Sequence, residues 1–204
     1  NSWGNADVFE LSDIPKPTIN SGQVLIKVFA SSINPVDWKH RMGNHRFVLG
    51  SPFPIVLGYD VCGEVIEIGS EVKKFKVGDS VFGDLDRKYG GALAEYAVGS
   101  EECFALKPAN TSHEEAAAVP LAALTALQAL RDKAKIKPGQ TVIINGASGG
   151  VGTFAVQIAK SFGTEVTGVC STSKLEVTRS IGADHVVDYT QEDFTKNGKT
   201  YDII

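Results

Sequence analysis

A glycine-rich loop, Gly146-Ala-Ser-Gly149-Gly150-Val-Gly152, set between a β-branched run and an amphipathic segment, most constrains this chain. Upstream, Thr141–Asn145 follows a Pro138-Gly139 turn and reads as a strand. Downstream, Val151, Phe154, Ala155, Ile158, Ala159 and Phe162 share one helical face, and Gly163 ends the helix. Glu165–Cys170 reads as a second strand and Ser173–Ile181 as a second helix closed by Gly182. His185–Asp188 reads as a third strand, and Tyr201–Ile204 as the start of a fourth. Repeated strand–helix–strand with short loops predicts a parallel sheet with helices on its faces.

Such a loop, opening a helix, lets backbone approach a pyrophosphate, while the helix N-terminus offers unpaired N–H groups and a positive dipole end. Ala147 stands where the G-x-G-x-x-G pattern has its first glycine, and Gly149 and Gly152 supply the other two. A plain tight turn is the alternative, but so dense a glycine cluster is conformationally costly for one. Ala147, Ser148, Gly149, Gly150, Val151 and Gly152 are therefore candidate dinucleotide contacts. The tip of the second strand then chooses between cofactors. An NAD site carries an acid about 20 residues past the loop, bonded to the ribose 2′-hydroxyl. Here the tip is Cys170-Ser171-Thr172-Ser173-Lys174. The hydroxyls of Ser171 and Ser173 with the ammonium of Lys174 suit a 2′-phosphate, which points to NADPH. Taken alone, Lys174 would read as a solvated residue of a first helical turn.

The rest of the chain differs in kind. Up to residue 119 it consists of short β segments punctuated by glycine and proline: Gln23–Ala30, Val61–Gly69, Ser80–Phe82, Leu93–Val98 and Cys103–Lys107. That pattern predicts a small barrel or sandwich. After Ser112 alanine and leucine take over, and Glu114 to Arg131 reads as helix broken at Pro120. The expected division is a β domain over 1–119 and an α/β domain over 120–204. A net charge of −4 gives no pull toward nucleic acid or anionic lipid. The most apolar stretch, Ala116 to Leu130, is shorter than the ~20 residues a bilayer span needs, so it reads as a buried helix. Three widely spaced cysteines, Cys62, Cys103 and Cys170, give neither a disulfide framework nor a metal-binding pair, and no signal peptide is visible. A cytoplasmic setting is expected, or an organelle if a transit peptide has been removed. The chain opens without methionine and stops inside an apolar run, so both ends read as cut.

Several blocks in order carry a resemblance. They are Ser32-Ile-Asn-Pro-Val-Asp-Trp-Lys39, Leu57-Gly-Tyr-Asp60 with Gly63, Val77-Gly-Asp-Ser-Val81, Gly90-Gly-Ala-Leu-Ala-Glu-Tyr96, Pro120-Leu-Ala-Ala-Leu-Thr-Ala126 and the glycine loop. With them the chain resembles the medium-chain dehydrogenase/reductases, in the zinc-independent quinone oxidoreductase (zeta-crystallin-like) branch with its plant chloroplast-envelope quinone oxidoreductase homologues and enone reductases. The resemblance implies a GroES-like β-barrel followed by a Rossmann doubly wound sheet, here its front half, with the active site in the cleft between. It implies an NADPH-dependent reductase of quinones or α,β-unsaturated carbonyls acting by hydride transfer, and a homodimer in the full-length protein. The rival readings are an NADPH-binding structural or sensing protein without turnover, and a zinc alcohol dehydrogenase.

The family holds the 2′-phosphate with a lysine eight residues before a Gly-Ala pair and a tyrosine seven after that glycine. Lys174 and Tyr189 stand at those distances from Gly182. Thr125 matches a residue close to the nicotinamide. Zinc-dependent relatives have a cysteine where Asn34 stands and Gly-His-Glu where Gly58-Tyr59-Asp60 stands, so no metal is expected. His40, His45, His113 and His185 show no ligand spacing. Asn34 has two compatible roles, as N-cap of a short helix with Pro35 at N1 and Asp37 at N3, and as the polar side chain near the nicotinamide amide or substrate carbonyl. Tyr59 is expected either to line the pocket as a donor or to sit in the core or at its rim, and Asp37 to be structural. Nothing stands out as a dedicated acid.

Overall fold

The computed structural model describes residues 2–44, 53–85, 90–196 and 198–204; His45 lies outside them. Contacts divide the chain into two units, Asn1–Leu121 and Ala122–Ile204.

The first unit is built on five antiparallel strands: β1 (Gln23–Ser31), β2 (Asp60–Ile68), β3 (Ser80–Asp84), β4 (Tyr96–Ser100) and β5 (Phe104–Leu106). Their order in the sheet is β4-β1-β2-β3-β5. β4 and β5 are opposite edges, yet a Cβ on Gly99 of β4 would lie 2.9 Å from the Phe104 ring of β5. The sheet is therefore curled enough for the Phe104 ring to reach across its open end to Gly99. Alternate residues of the strands fill the curl: Val24, Ile26, Val61, Val65, Val81, Ala97 and Phe104 form one core with Phe75, Leu85 and Ala92. On the other face a short helix α2 (His113–Ala117) lays Ala116 and Ala117 against Cys62. Helix α1 (Pro35–Arg41) leaves the end of β1 with Asn34 as N-cap and proline in its first turn, as the Asn-Pro-Val-Asp run predicts.

The alanine- and leucine-rich segment is less regular than expected. Helix α3 (Pro120–Leu127) ends in a π-helical stretch, Gln128–Lys133. The chain turns out of it with Ala134 N–H bonded to Ala129 O and Lys135 at φ 55°. Apolar periodicity marks the helix but is blind to a change from i+4 to i+5 bonding.

In the second unit β6 (Thr141–Asn145), β7 (Glu165–Cys170) and β8 (His185–Asp188) form a parallel sheet ordered β6-β7-β8. Helix α4 (Gly150–Ser161) covers one face, placing Ala155, Val156 and Ala159 on Val142, Ile144 and Val166. Ile143, Val169 and Val187 face the other way, toward Phe194 and Tyr201. The second helix, expected over Ser173–Ile181, is a 3-10 turn Thr172–Lys174 followed by α5 (Leu175–Ser180). The fourth strand is reduced to a single parallel bridge between Val142 and Ile203. That bridge puts Ile203 on the side of β6 away from β7. The order therefore reverses beside β6, and in doubly wound sheets ligands bind at the carboxyl ends of the strands flanking such a reversal.

Candidate functional site

The glycine loop leaves the carboxyl end of β6 and returns as α4. Gly146, at φ 75°, makes the turn, and the N–H groups of Gly146 and Ala147 both donate to Val169 O, at 3.1 and 3.0 Å. Ala147 is fully buried, and a Cβ on Gly152 would sit 2.1 Å from Gly146 O. These two residues press the first turn of α4 against the strand end. Gly149, the N-cap, and Gly150 and Val151 are exposed, Ser148 is half-buried, and a Cβ on Gly150 would meet nothing within 4 Å. The loop thus has a packed inner side and a bare outer side lined by backbone at a helix N-terminus, where an anion is favoured.

Next to it the carboxyl ends of β7 and β8 are tied together. Tyr189 N–H donates to Cys170 O at 3.2 Å, and Thr172 and Thr190 share a hydroxyl contact at 3.0 Å. Both threonines donate to Asp188, and these bonds, Thr172 first, hold its carboxyl below the usual carboxylate value. The local acid is thus engaged by hydroxyls, and among the described residues Lys174 makes no ion pair. Ser173, Lys174 and Tyr189 are exposed and Ser171 is half-buried, with the two serine hydroxyls 3.5 Å apart. The expected 2′-phosphate residues therefore share one edge, around an exposed ammonium and hydroxyl groups. Thr125 is exposed on α3.

In the first unit Asn34 and Tyr59 are both buried and hydrogen-bonded. Asp60 is fully buried at the start of β2. Its Oδ2 accepts from Ser32 Oγ and Asn34 Nδ2, both at 2.8 Å, and its Oδ1 accepts from Leu121 N–H at 2.8 Å. Asn34 Nδ2 also reaches Ser32 Oγ at 3.3 Å. Burial pushes the Asp60 carboxyl up, against the pull of these donors. Asp37, also raised chiefly by burial, accepts from Asn34 N–H at 2.7 Å and Gly58 N–H at 3.1 Å, so it fastens α1 to the loop before β2. That is the structural role expected of it. Tyr59 is 1% exposed and its hydroxyl lies 2.8 Å from His40 Nδ1, itself buried. Sequence reasoning singled out neither Asp60 nor His40 as a site residue. Asp60 gathers donors from 28 and 26 residues before it and 61 after, a convergence no local spacing reveals. Among the described residues no group of three or more His, Cys, Asp or Glu could hold a metal ion. No helix among them is long and apolar enough to cross a membrane.

With this geometry in view, two families match: the alcohol dehydrogenase GroES-like domain over residues 20–109, and zinc-binding dehydrogenase over residues 150–201. The chain is 44% identical over 211 residues to a 2-methylene-furan-3-one reductase of Solanum lycopersicum, covering 99% of the chain and 54% of that relative. It is 40% identical over 211 residues to an NADPH-dependent alkenal/one oxidoreductase, chloroplastic, of Arabidopsis thaliana, with the same coverage of each. Among solved structures, the quinone oxidoreductase from Coxiella burnetii superposes with a TM-score of 0.87 at 39% identity, over 95% of this chain and 62% of that one. The chain thus spans about half the length of these curated relatives. A curled β domain leading into a parallel nucleotide-type sheet, matched on both parts, makes this chain a member of the medium-chain dehydrogenase/reductase superfamily.

Proposed function

We propose that this chain belongs to an NADPH-dependent reductase of quinones or α,β-unsaturated carbonyls. The observation that carries the reading is the edge formed by β7 and β8. Where an NAD site keeps a free acid, this edge offers Ser171, Ser173 and an exposed Lys174, while its own acid, Asp188, is occupied by Thr172 and Thr190. Hydroxyls and an exposed ammonium match a phosphate dianion and offer little to a bare ribose. The bare outer side of the glycine loop, with Gly149 and Gly150 exposed, fits a pyrophosphate in the same way. The relatives' names support the substrate class.

NADPH, when bound, supplies the hydride. This chain's residues bind and orient. Ala147 to Gly152 would hold the pyrophosphate, and Ser171, Ser173, Lys174 and Tyr189 the 2′-phosphate. Asn34 is proposed to border the reacting end, with Tyr59, 1% exposed and its hydroxyl on His40, backing it from the core. There Asn34 would present a polar side chain to the nicotinamide amide or the substrate carbonyl, supporting charge that develops on oxygen.

The test is NADPH oxidation with a panel of quinones and enones, run beside NADH. NADPH turnover on at least one of them, with NADH much poorer, is expected. Binding of NADPH with no turnover across the panel would instead favour a structural or sensing role. Replacing Lys174 by glutamate removes one charge-assisted bond and adds repulsion. A bond of that kind is worth about 1.5–3 kcal/mol, so NADPH affinity should fall by roughly 10–100-fold, with NADH little affected. Equal loss for both cofactors would refute the 2′-phosphate assignment.

A further inference from the structure

Asp60 does more in the geometry than fill space. A fully buried carboxylate is costly unless every lone pair finds a donor. This one collects three from separate stretches: the hydroxyl of Ser32, the amide of Asn34, and the backbone N–H of Leu121. Because a carboxylate only accepts, it dictates which end of the Asn34 amide turns inward. Since Pro120 has no N–H, Leu121 also carries the first N–H of α3, one that the helix itself cannot satisfy. One side chain therefore both orients the Asn34 amide and holds the first N–H of α3. A purely hydrophobic residue of similar size would pack the same volume without specifying either.

We infer that Asp60 is a positioning residue for the reduction proposed above, holding Asn34 in the orientation the reacting end requires. The inference rests on that functional reading. It concerns turnover rather than cofactor affinity, because none of the three donors belongs to the glycine loop or to the Lys174 edge.

The experiment compares wild type with Asp60→Asn and Asp60→Glu. Asp60→Asn keeps the volume but turns one acceptor into a donor, so Asn34, Ser32 or Leu121 must lose its partner. The expected result is a kcat at least about tenfold lower, the size of one lost charge-assisted hydrogen bond, with the NADPH dissociation constant unchanged. Asp60→Glu keeps the acceptor character and should recover part of the loss. A separate readout needs no turnover: the side-chain amide protons of Asn34 and the amide proton of Leu121 should shift in the nuclear magnetic resonance spectrum of Asp60→Asn. If Asp60→Asn does not fold, Asp60→Glu decides, a kcat below wild type with the Asn34 and Leu121 resonances shifted supporting the assignment. Wild-type kcat in Asp60→Asn, or in Asp60→Glu where that variant decides, overturns it. So does a kcat loss that merely tracks the loss of folded protein. Wild-type protein that turns over no quinone or enone overturns the functional reading itself, an outcome distinct from an active wild type with indifferent variants.

Discussion

Two glycines of the same loop separate folding from binding at the level of single residues. At Gly152 an added Cβ would meet Gly146 O at 2.1 Å and Ala147 Cα at 2.8 Å, both backbone atoms that cannot step aside. Gly152→Ala should therefore cost about 2 kcal/mol or more through forced displacement of α4 from the strand end, and thermal melting should register it with or without nucleotide. At Gly150 an added Cβ meets nothing, and the residue lies inside the first turn of α4. Gly150→Ala should raise stability by roughly 0.4–1 kcal/mol through the smaller entropy of the unfolded chain. If the pyrophosphate sits on this outer side, the same methyl occupies its space, so NADPH affinity should fall while the melting temperature rises. A variant with unchanged affinity would move the phosphate site elsewhere. The sequence places both glycines in one motif and gives them one purpose; their division between packing and access becomes visible only when Gly146 O is located.

At the scale of elements, legibility followed how local the cause was. β6, β7 and β8 have the bounds that their β-branched runs predict, since each is a short apolar strand between clear punctuation marks. The stretch expected as Leu93–Val98 is strand only from Tyr96, because Ala92 and Leu93 N–H groups are drawn to Gly58 and Leu57 O, far away in the chain. The fourth strand, expected from Tyr201, amounts to one bridge held by a side chain. Asp202 accepts from both the N–H and the hydroxyl of Thr141, at 2.8 and 2.9 Å, and Ile143 N–H donates to Ile203 O at 2.9 Å. The Thr141 bonds, backbone first, lower the Asp202 carboxyl. Its folded value thus lies below the unfolded one, near pH 3.9 for a free aspartate. The tie is complete above that unfolded value and is lost as pH falls through the folded value. The protection of the Ile143 amide, measured against its intrinsic exchange rate at each pH, should therefore fall in Asp202→Ala at neutral pH and in wild type on acidification. In the variant the acid effect should vanish, and a persisting one would mean that another group holds the bridge.

Over the whole molecule, the described residues of the largest buried cluster in each unit are that unit's own, and with two kinds of sheet this makes a single cooperative transition a poor expectation. The chain carries its own probe of this, because both tryptophans, Trp3 and Trp38, belong to the first unit. Tryptophan fluorescence then follows that unit, while far-ultraviolet circular dichroism follows both. Val61 and Val156 are each fully buried, one in each core. Truncating either to alanine removes two methyl groups and should cost about 2 kcal/mol, which for units of this size is a shift of roughly 10 °C. Val61→Ala should move the fluorescence transition, whereas Val156→Ala should move only the dichroism. Acid should part the transitions further. In the first unit the buried Asp37 and Asp60 have raised carboxyls, whose contribution is fully present below the unfolded value and lost as pH rises through the folded one. In the second, the partnered acids Asp188 and Asp202 are lowered and contribute with the opposite sign. Glu101 and Glu114 of the first unit are lowered as well and offset part of this contrast. Lowering the pH from neutral toward 4 should therefore weaken the second unit relative to the first chiefly through the raised Asp37 and Asp60. If the two probes melt together at every pH and both variants shift both probes equally, the units fold as one cooperative body and this division of the energetics is wrong.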